Sequence, residues 1–206
     1  MSQQAFYFDG TRCTGCKTCQ MACKDYKNID LGISFRHVYE VTIGDTVKDA
    51  DGILTTTCDS YPLSMSCNHC DSPICFEKCP QSAIIKDADT GLMSIDGEKC
   101  IGCGTCAIVC PYNAPKVDEE KKKAVRCNGC AERVAAGKQP VCVEACSMRA
   151  IEFGPMDSLP SGGAPAAVAP LPDPSVTSPN FLIKACASSQ PSGSTSCVVA
   201  NAAEVK

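Results

Sequence analysis

The 206-residue chain has no tryptophan, only two histidines and only 5% aromatic residues. So few large side chains cannot fill a thick apolar core, and domains this poor in them are usually held together by disulfides or metals. Two histidines also leave haem ligation little to work with. No run of about 18 apolar residues occurs, so no direct membrane span is expected. The opening residues, MSQQAFYFDGTRCTGC, lack a basic stretch followed by an apolar one. No secretory leader is therefore expected, and disulfide-rich secretion becomes a poor explanation. A formal net charge of -4 argues against a nucleic-acid partner. Gly-x-Gly-x-x-Gly, phosphate-loop and nucleophile motifs are missing too, which leaves no catalytic residue to nominate.

What the chain has is cysteine: nineteen residues, about 9% of the total. Without them the apolar share falls to roughly 35%, below the ~45–50% usual for globular chains. Sixteen fall into four regular groups: Cys13, Cys16, Cys19, Cys23; Cys67, Cys70, Cys75, Cys79; Cys100, Cys103, Cys106, Cys110; and Cys127, Cys130, Cys142, Cys146. The third group, C-x2-C-x2-C-x3-C-P, has the bacterial ferredoxin spacing, and the others vary it by a lost proline or by residues inserted before the third cysteine. Three cysteines on a tight loop reach three corners of one cubane, and Gly15, Gly102 and Gly129 let backbone amides approach the sulfurs. The fourth is expected to start a helix pointing away and to ligate the neighbouring cluster, as in two-cluster ferredoxins. Zinc has no use for the third and fourth cysteines repeated four times.

Pairing of the groups is read from their flanks, in preference to joining group one to group two across the 43 residues that separate them. Ala83-Ile84-Ile85 and Leu92-Met93-Ser94-Ile95, on either side of Asp89-Thr90-Gly91, read as a hairpin joining groups two and three. Ala150-Ile151-Glu152-Phe153 after group four and Phe6-Tyr7-Phe8-Asp9 before group one are expected to pair as strands and close a second module. Crossed ligation then gives site 1 as Cys13, Cys16, Cys19 and Cys146, and site 2 as Cys67, Cys70, Cys75 and Cys110. Site 3 is Cys100, Cys103, Cys106 and Cys79, and site 4 is Cys127, Cys130, Cys142 and Cys23. The cofactors expected are four [4Fe-4S] clusters. Each oxidised core carries +2 and its thiolates -4, so the loaded protein would carry about -12. The fold expected is α+β and loop-rich, with two pseudo-duplicated ferredoxin-like modules. Residues 1–24 plus 112–154 form one and residues 60–111 the other, with an insertion at 25–59 and an extended Pro/Ser-rich C-terminal arm at 155–206.

The words CTGCKTCQMACKD, SCNHCDSPICFEKCPQSAI, CIGCGTCAIVCPYNAPK, RCNGCAERVAAGKQPVCVEAC, MRAIEFGP and APLPDPSVTSPNFLIK cover nearly the whole sequence. Through them it resembles the four-cluster iron-sulfur subunits of molybdopterin oxidoreductases, most closely the B subunit of anaerobic dimethyl sulfoxide reductases. The resemblance implies a non-catalytic electron wire. It would link a quinol-oxidising membrane subunit, or another donor, to a large molybdopterin catalytic subunit. It also implies assembly in the cytoplasm and a peripheral place on the cytoplasmic membrane, on its outer face if the folded chain is exported with a twin-arginine partner. A freely diffusing multi-cluster ferredoxin is the alternative, and a zinc-stapled interaction protein is a third.

Outside the quartets, FRHVYEVTI alternates as a short strand, and KVDEEKKKAVRC reads as a polar hairpin turning at Glu119-Glu120-Lys121-Lys122. Glu132 to Lys138 is expected to be a short helix ending near Gly137. Arg12, Lys17, Lys78, Lys99 and Arg126 stand beside ligands and are candidates for tuning potentials. His69 is expected to make a supporting hydrogen bond rather than a metal bond. Cys58 is expected to be a buried spare thiol, and Cys186 and Cys197 bystanders. Residues 155–206 hold eight of the fourteen prolines and five charged residues. That composition does not build a core of its own, so Phe181-Leu182-Ile183 and Val198-Val199 are expected to lie on a partner.

Overall fold

A computed structural model describes residues 2–205 of the protein. Thirteen short strands and five short α-helices are interspersed along it. They are β1 (Gln4–Asp9), α1 (Thr18–Tyr26), β2 (His37–Ile43), β3 (Thr46–Lys48), β4 (Leu54–Thr56), β5 (Asp59–Met65), α2 (Ile74–Glu77), β6 (Ile84–Lys86) and β7 (Met93–Ile95). After these come α3 (Thr105–Val109), β8 (Lys116–Asp118), β9 (Lys123–Val125), α4 (Ala131–Ala135), α5 (Val141–Glu144), β10 (Ile151–Pro155), β11 (Ala164–Pro165), β12 (Phe181–Lys184) and β13 (Cys197–Val199). The fold is a small, loop-rich α+β arrangement.

The principal sheet has the order β10-β1-β12-β11. Ala5 to Asp9 of β1 are all buried, which suits a central strand covered on both faces. It pairs antiparallel with β10, Phe6 opposite Phe153, so the two ends of the cysteine region meet as the sequence led us to expect. The β6–β7 hairpin forms with Ile84 opposite Ile95. Its turn is held by Asp87 Oδ1, which accepts from the backbone N–H groups of Thr90 (2.8 Å) and Asp89 (3.1 Å). The polar hairpin is β8–β9, and its turn residues 119–122 are exposed. The anticipated helix near residue 132 is α4, one residue earlier at its start, with Gly137 at φ +72° beyond its end.

Three expectations need correction. The third cysteine, not the fourth, enters each helix: Cys19, Cys75, Cys106 and Cys142 lie in α1, α2, α3 and α5. The fourth lies later in the same helix, as Cys23 does in α1, or just beyond its end, so one short turn carries the backbone from one site to the next. Cys58 is exposed rather than buried, because it sits at the foot of the open β3–β4 hairpin. The C-terminal segment is extended, yet Phe181 and Ile183 of its first apolar word are buried against its own chain. In β12, which runs parallel to β1, Phe181 is fully buried and Ile183 nearly so. In β13, Cys197 to Val199 add an edge strand to β2. Proline and serine spacing hid both strands, because each needs a neighbour strand brought from far along the sequence.

Candidate metal centres

The loops of groups one and three share a backbone pattern. Gly15 and Gly102 both have φ +70°, and Lys17 (φ +61°) and Gly104 (φ +74°) precede the helices in the left-handed region. A Cβ on Gly102 would run into the backbone carbonyl of Lys122, so the loop tolerates no side chain there. In group two His69 takes the glycine's place, at φ +46°.

These loops bring sulfurs together across the groups. Cys79, Cys100, Cys103 and Cys106 line one cleft, together with Ala83, Ile84 and Ala124. Cys13, Cys16, Cys19 and Cys146 line another, walled by Val38, Ser64 and Ile151. Cys70 lies within charge reach of Cys67, Cys110 and Cys75. Cys23 lies within charge reach of Cys127, Cys142 and Cys130. Each fourth cysteine thus stands with the other group of its pair. The residues fit a polynuclear group better than a lone ion. Among the described residues no three His, Cys, Asp or Glu side chains close on a point that would hold a single metal. Backbone N–H groups aim at the sulfurs: Ala83 at Cys79 Sγ (3.3 Å), Ala124 at Cys100 Sγ (3.3 Å), Ala150 at Cys146 Sγ (3.3 Å) and His69 at Cys67 Sγ (3.4 Å).

The quartets also neighbour one another in succession. Cys106 of site 3 feels Cys75 of site 2, Cys127 of site 4 feels Cys67 of site 2, and Cys142 of site 4 feels Cys19 of site 1. On the quartets expected from sequence, the succession runs 3, 2, 4, 1. Cys103 and Cys16, on the two end sites, are the exposed sulfurs of the sixteen. The environment grades the thiols accordingly. Burial first, then neighbouring sulfurs, pushes Cys13 up to about 11 and Cys106 up to about 11. Burial pushes Cys70 up to about 12 and Cys23 up as well. The hydroxyls of Thr18 and Thr105 lower exposed Cys16 and Cys103. Such buried thiols become thiolates only when a cation replaces the proton.

Two guanidinium groups lie inside this array. Arg126 donates from Nη1 to Cys75 Sγ (3.4 Å) and from Nη2 to Cys67 Sγ. Arg36 donates to the hydroxyls of Ser64 and Ser66, both at 3.1 Å, and lies 4.9 Å over the Phe6 ring. Of the five cations nominated from sequence only Arg126 is buried. Arg12, Lys78 and Lys99 are exposed, and Lys17 pairs with Glu40 (2.7 Å) and Glu204 (2.6 Å). Arg36 was missed because it lies in the insertion, far from any cysteine in sequence. Its one signal was an arginine at the head of an alternating strand. His69 is fully buried, and its Nδ1 accepts from the Met93 backbone N–H (2.8 Å). Burial, then Arg126 and Lys86, lowers its pKa to about 3, so the ring is neutral. The C-terminal segment clamps this same loop. Asn180 donates from Nδ2 to His69 O (2.8 Å), and its backbone N–H donates to Asn68 O (2.9 Å).

Paired cysteine loops of this construction define an iron-sulfur protein, and residues 58–156 match the 4Fe-4S dicluster domain family. Over 205 residues the sequence is 48% identical to the probable anaerobic dimethyl sulfoxide reductase chain YnfG of Escherichia coli, covering 99% of both proteins. It is 47% identical to the B subunit of anaerobic dimethyl sulfoxide reductase from the same organism, again over 99% of both. The formate dehydrogenase-O iron-sulfur subunit of Escherichia coli is 29% identical over 73% of this chain and 53% of its own length. The protein belongs to the family of anaerobic dimethyl sulfoxide reductase B subunits, as an iron-sulfur electron-transfer subunit and not a catalytic one.

Proposed function

We propose that sixteen cysteines, in the crossed quartets of sites 1 to 4, hold four [4Fe-4S] clusters. On this reading the protein relays single electrons between a quinol-oxidising membrane subunit, or another donor, and a molybdopterin catalytic subunit of a dimethyl-sulfoxide-reductase-type complex. The observation that carries it is the coincidence of the two quartets lining clefts with two quartets of the ferredoxin spacing. Bound clusters supply one-electron carriers whose potentials the protein can set across roughly -700 to +450 mV.

The chain's own residues supply the rest. None of the eight cysteines of the inner sites 2 and 4 is exposed, and the backbone N–H groups of His69 and Gly129 donate to Cys67 Sγ and Cys127 Sγ, both at 3.4 Å. The exposed sulfurs Cys103 and Cys16 leave a way in and out at either end of the succession. The matching glycine and threonine geometry of the first and third loops supports two pseudo-duplicated ferredoxin-like modules, residues 1–24 plus 112–154 and residues 60–111. No helix among the described residues is long and apolar enough to cross a membrane. We place the protein peripherally on the cytoplasmic membrane, assembled in the cytoplasm and held there by partners. An outer-face position would require export together with a twin-arginine partner.

Iron, acid-labile sulfide and spin counts on anaerobically purified protein test this reading. Four irons and four sulfides per quartet, with co-purification of a large molybdenum subunit, are expected. A colourless zinc-containing preparation, or a loaded protein that never associates with a molybdenum subunit, would overturn it.

A further inference from the structure

Arg36 and Arg126 are 1% and 7% exposed, and among the described residues each Nε is a buried donor without a partner. A buried cation is costly unless something opposes its charge, and neither arginine is paired with a carboxylate among the described residues. What faces them is sulfur. Arg36 lies within charge reach of Cys142, Cys127 and Cys23 of site 4 and Cys19 of site 1. Because Ser64 Oγ accepts from Arg36 Nη1, its own hydrogen is free for Cys19 Sγ at 3.4 Å. Arg126 touches Cys67 and Cys75 of site 2, and its charge reaches Cys106 of site 3. One guanidinium therefore bears on both sites of each pair.

We propose that Arg36, with Ser64 as its relay, and Arg126 are the fixed charges that raise the reduction potentials of the sites they bear on, Arg36 for sites 1 and 4 and Arg126 for sites 2 and 3. This rests on the reading that the quartets hold clusters. Reduction adds negative charge to a centre, and a cation stabilises the reduced form more strongly where water is excluded. Exposed Arg12, Lys78 and Lys99 are screened and contribute far less. Both arginines are tuning residues and take no part in bond chemistry.

The test is a redox titration of the loaded protein followed by electron paramagnetic resonance, with signals assigned through single-cysteine variants. Arg36→Gln should lower the reduction equilibrium of sites 1 and 4 at least tenfold, which is 59 mV for one electron, and leave sites 2 and 3 in place. Arg126→Gln should do the reverse, and Arg36→Lys should keep most of the wild-type value. Ser64→Ala, which removes only a hydroxyl, should lower site 1 alone. Unmoved potentials at sites 1 and 4 in a fully loaded Arg36→Gln protein, or equal shifts at all four sites, would overturn the assignment. Should Arg36→Gln fail to load, an unmoved site 1 in Ser64→Ala overturns it equally. A shortfall of iron in the unaltered protein would instead refute the four-cluster reading on which the inference stands.

Discussion

Phe181→Ala asks whether the C-terminal segment belongs to the protein's own core. Phe181 is fully buried in β12, directly opposite Phe6 of β1, with ring centroids 6.0 Å apart and planes at 29°. Phe6 in turn packs on Phe153 of β10 at 4.7 Å, so the substitution opens a void at the centre of the sheet. Truncating a buried phenylalanine costs about 3–5 kcal/mol, a large part of the roughly 5–15 kcal/mol that holds a domain. β12 is a four-residue strand and cannot collapse far to fill the gap, which favours the upper half of that range. Guanidinium unfolding of the isolated, loaded protein under anaerobic conditions reads it as a fall in midpoint at constant slope. Val198→Ala, at 66% exposure, is the control and should move less than 0.5 kcal/mol. A Phe181→Ala protein within 1 kcal/mol of wild type would refute the packing argument and return these residues to a partner's surface.

Gly102→Ala should destabilise by about 2 kcal/mol or block loading of site 3, because φ is +70° and Lys122 O occupies the Cβ position. Gly32→Ala, also at positive φ but with nothing within 4 Å, should cost only about 1 kcal/mol, and thermal melts separate the two. His37 is 3% exposed; burial first, then Lys116 and Arg36, lowers it to about 4. For a base with a depressed folded pKa, stability is complete above the ordinary value of 6.5 and is lost as pH falls through it. Unfolding free energy should therefore drop by about 2 kcal/mol between pH 6.5 and 5 from this residue, a loss that His37→Gln should abolish. Chelation of iron should unfold the protein, since the longest helix among the described residues has nine residues, below the ~12–15 at which helices become even marginal alone. Near-ultraviolet dichroism that persisted after iron removal would contradict this.

The spacing of the cysteines made the site legible, because a cubane needs short loops and a helical turn, and both leave a period in sequence. The β1–β10 pairing was legible for the same reason that it forms: Phe6 and Phe153 lie on short words rich in apolar residues that flank the first and last cysteine groups. The β12 strand was not legible. FLIK is four residues in a proline-rich stretch, and its partner β1 lies some 175 residues earlier. The β3–β4 hairpin is exposed on all its residues and so carries no alternation to read. Arg36 was invisible because a lone arginine reads as surface, and only the tertiary fold brings it within charge reach of four sulfurs from two loops.

Cys106 and Cys110 are one helical turn apart in one loop, yet the crossed arrangement assigns them to different sites. Electron paramagnetic resonance of Cys106→Ser and Cys110→Ser, compared with the unaltered protein, is the most direct test of that arrangement. The account predicts that Cys106→Ser disturbs site 3 and Cys110→Ser disturbs site 2, two distinct signals at two distinct potentials. Loss of one and the same signal in both variants would contradict it.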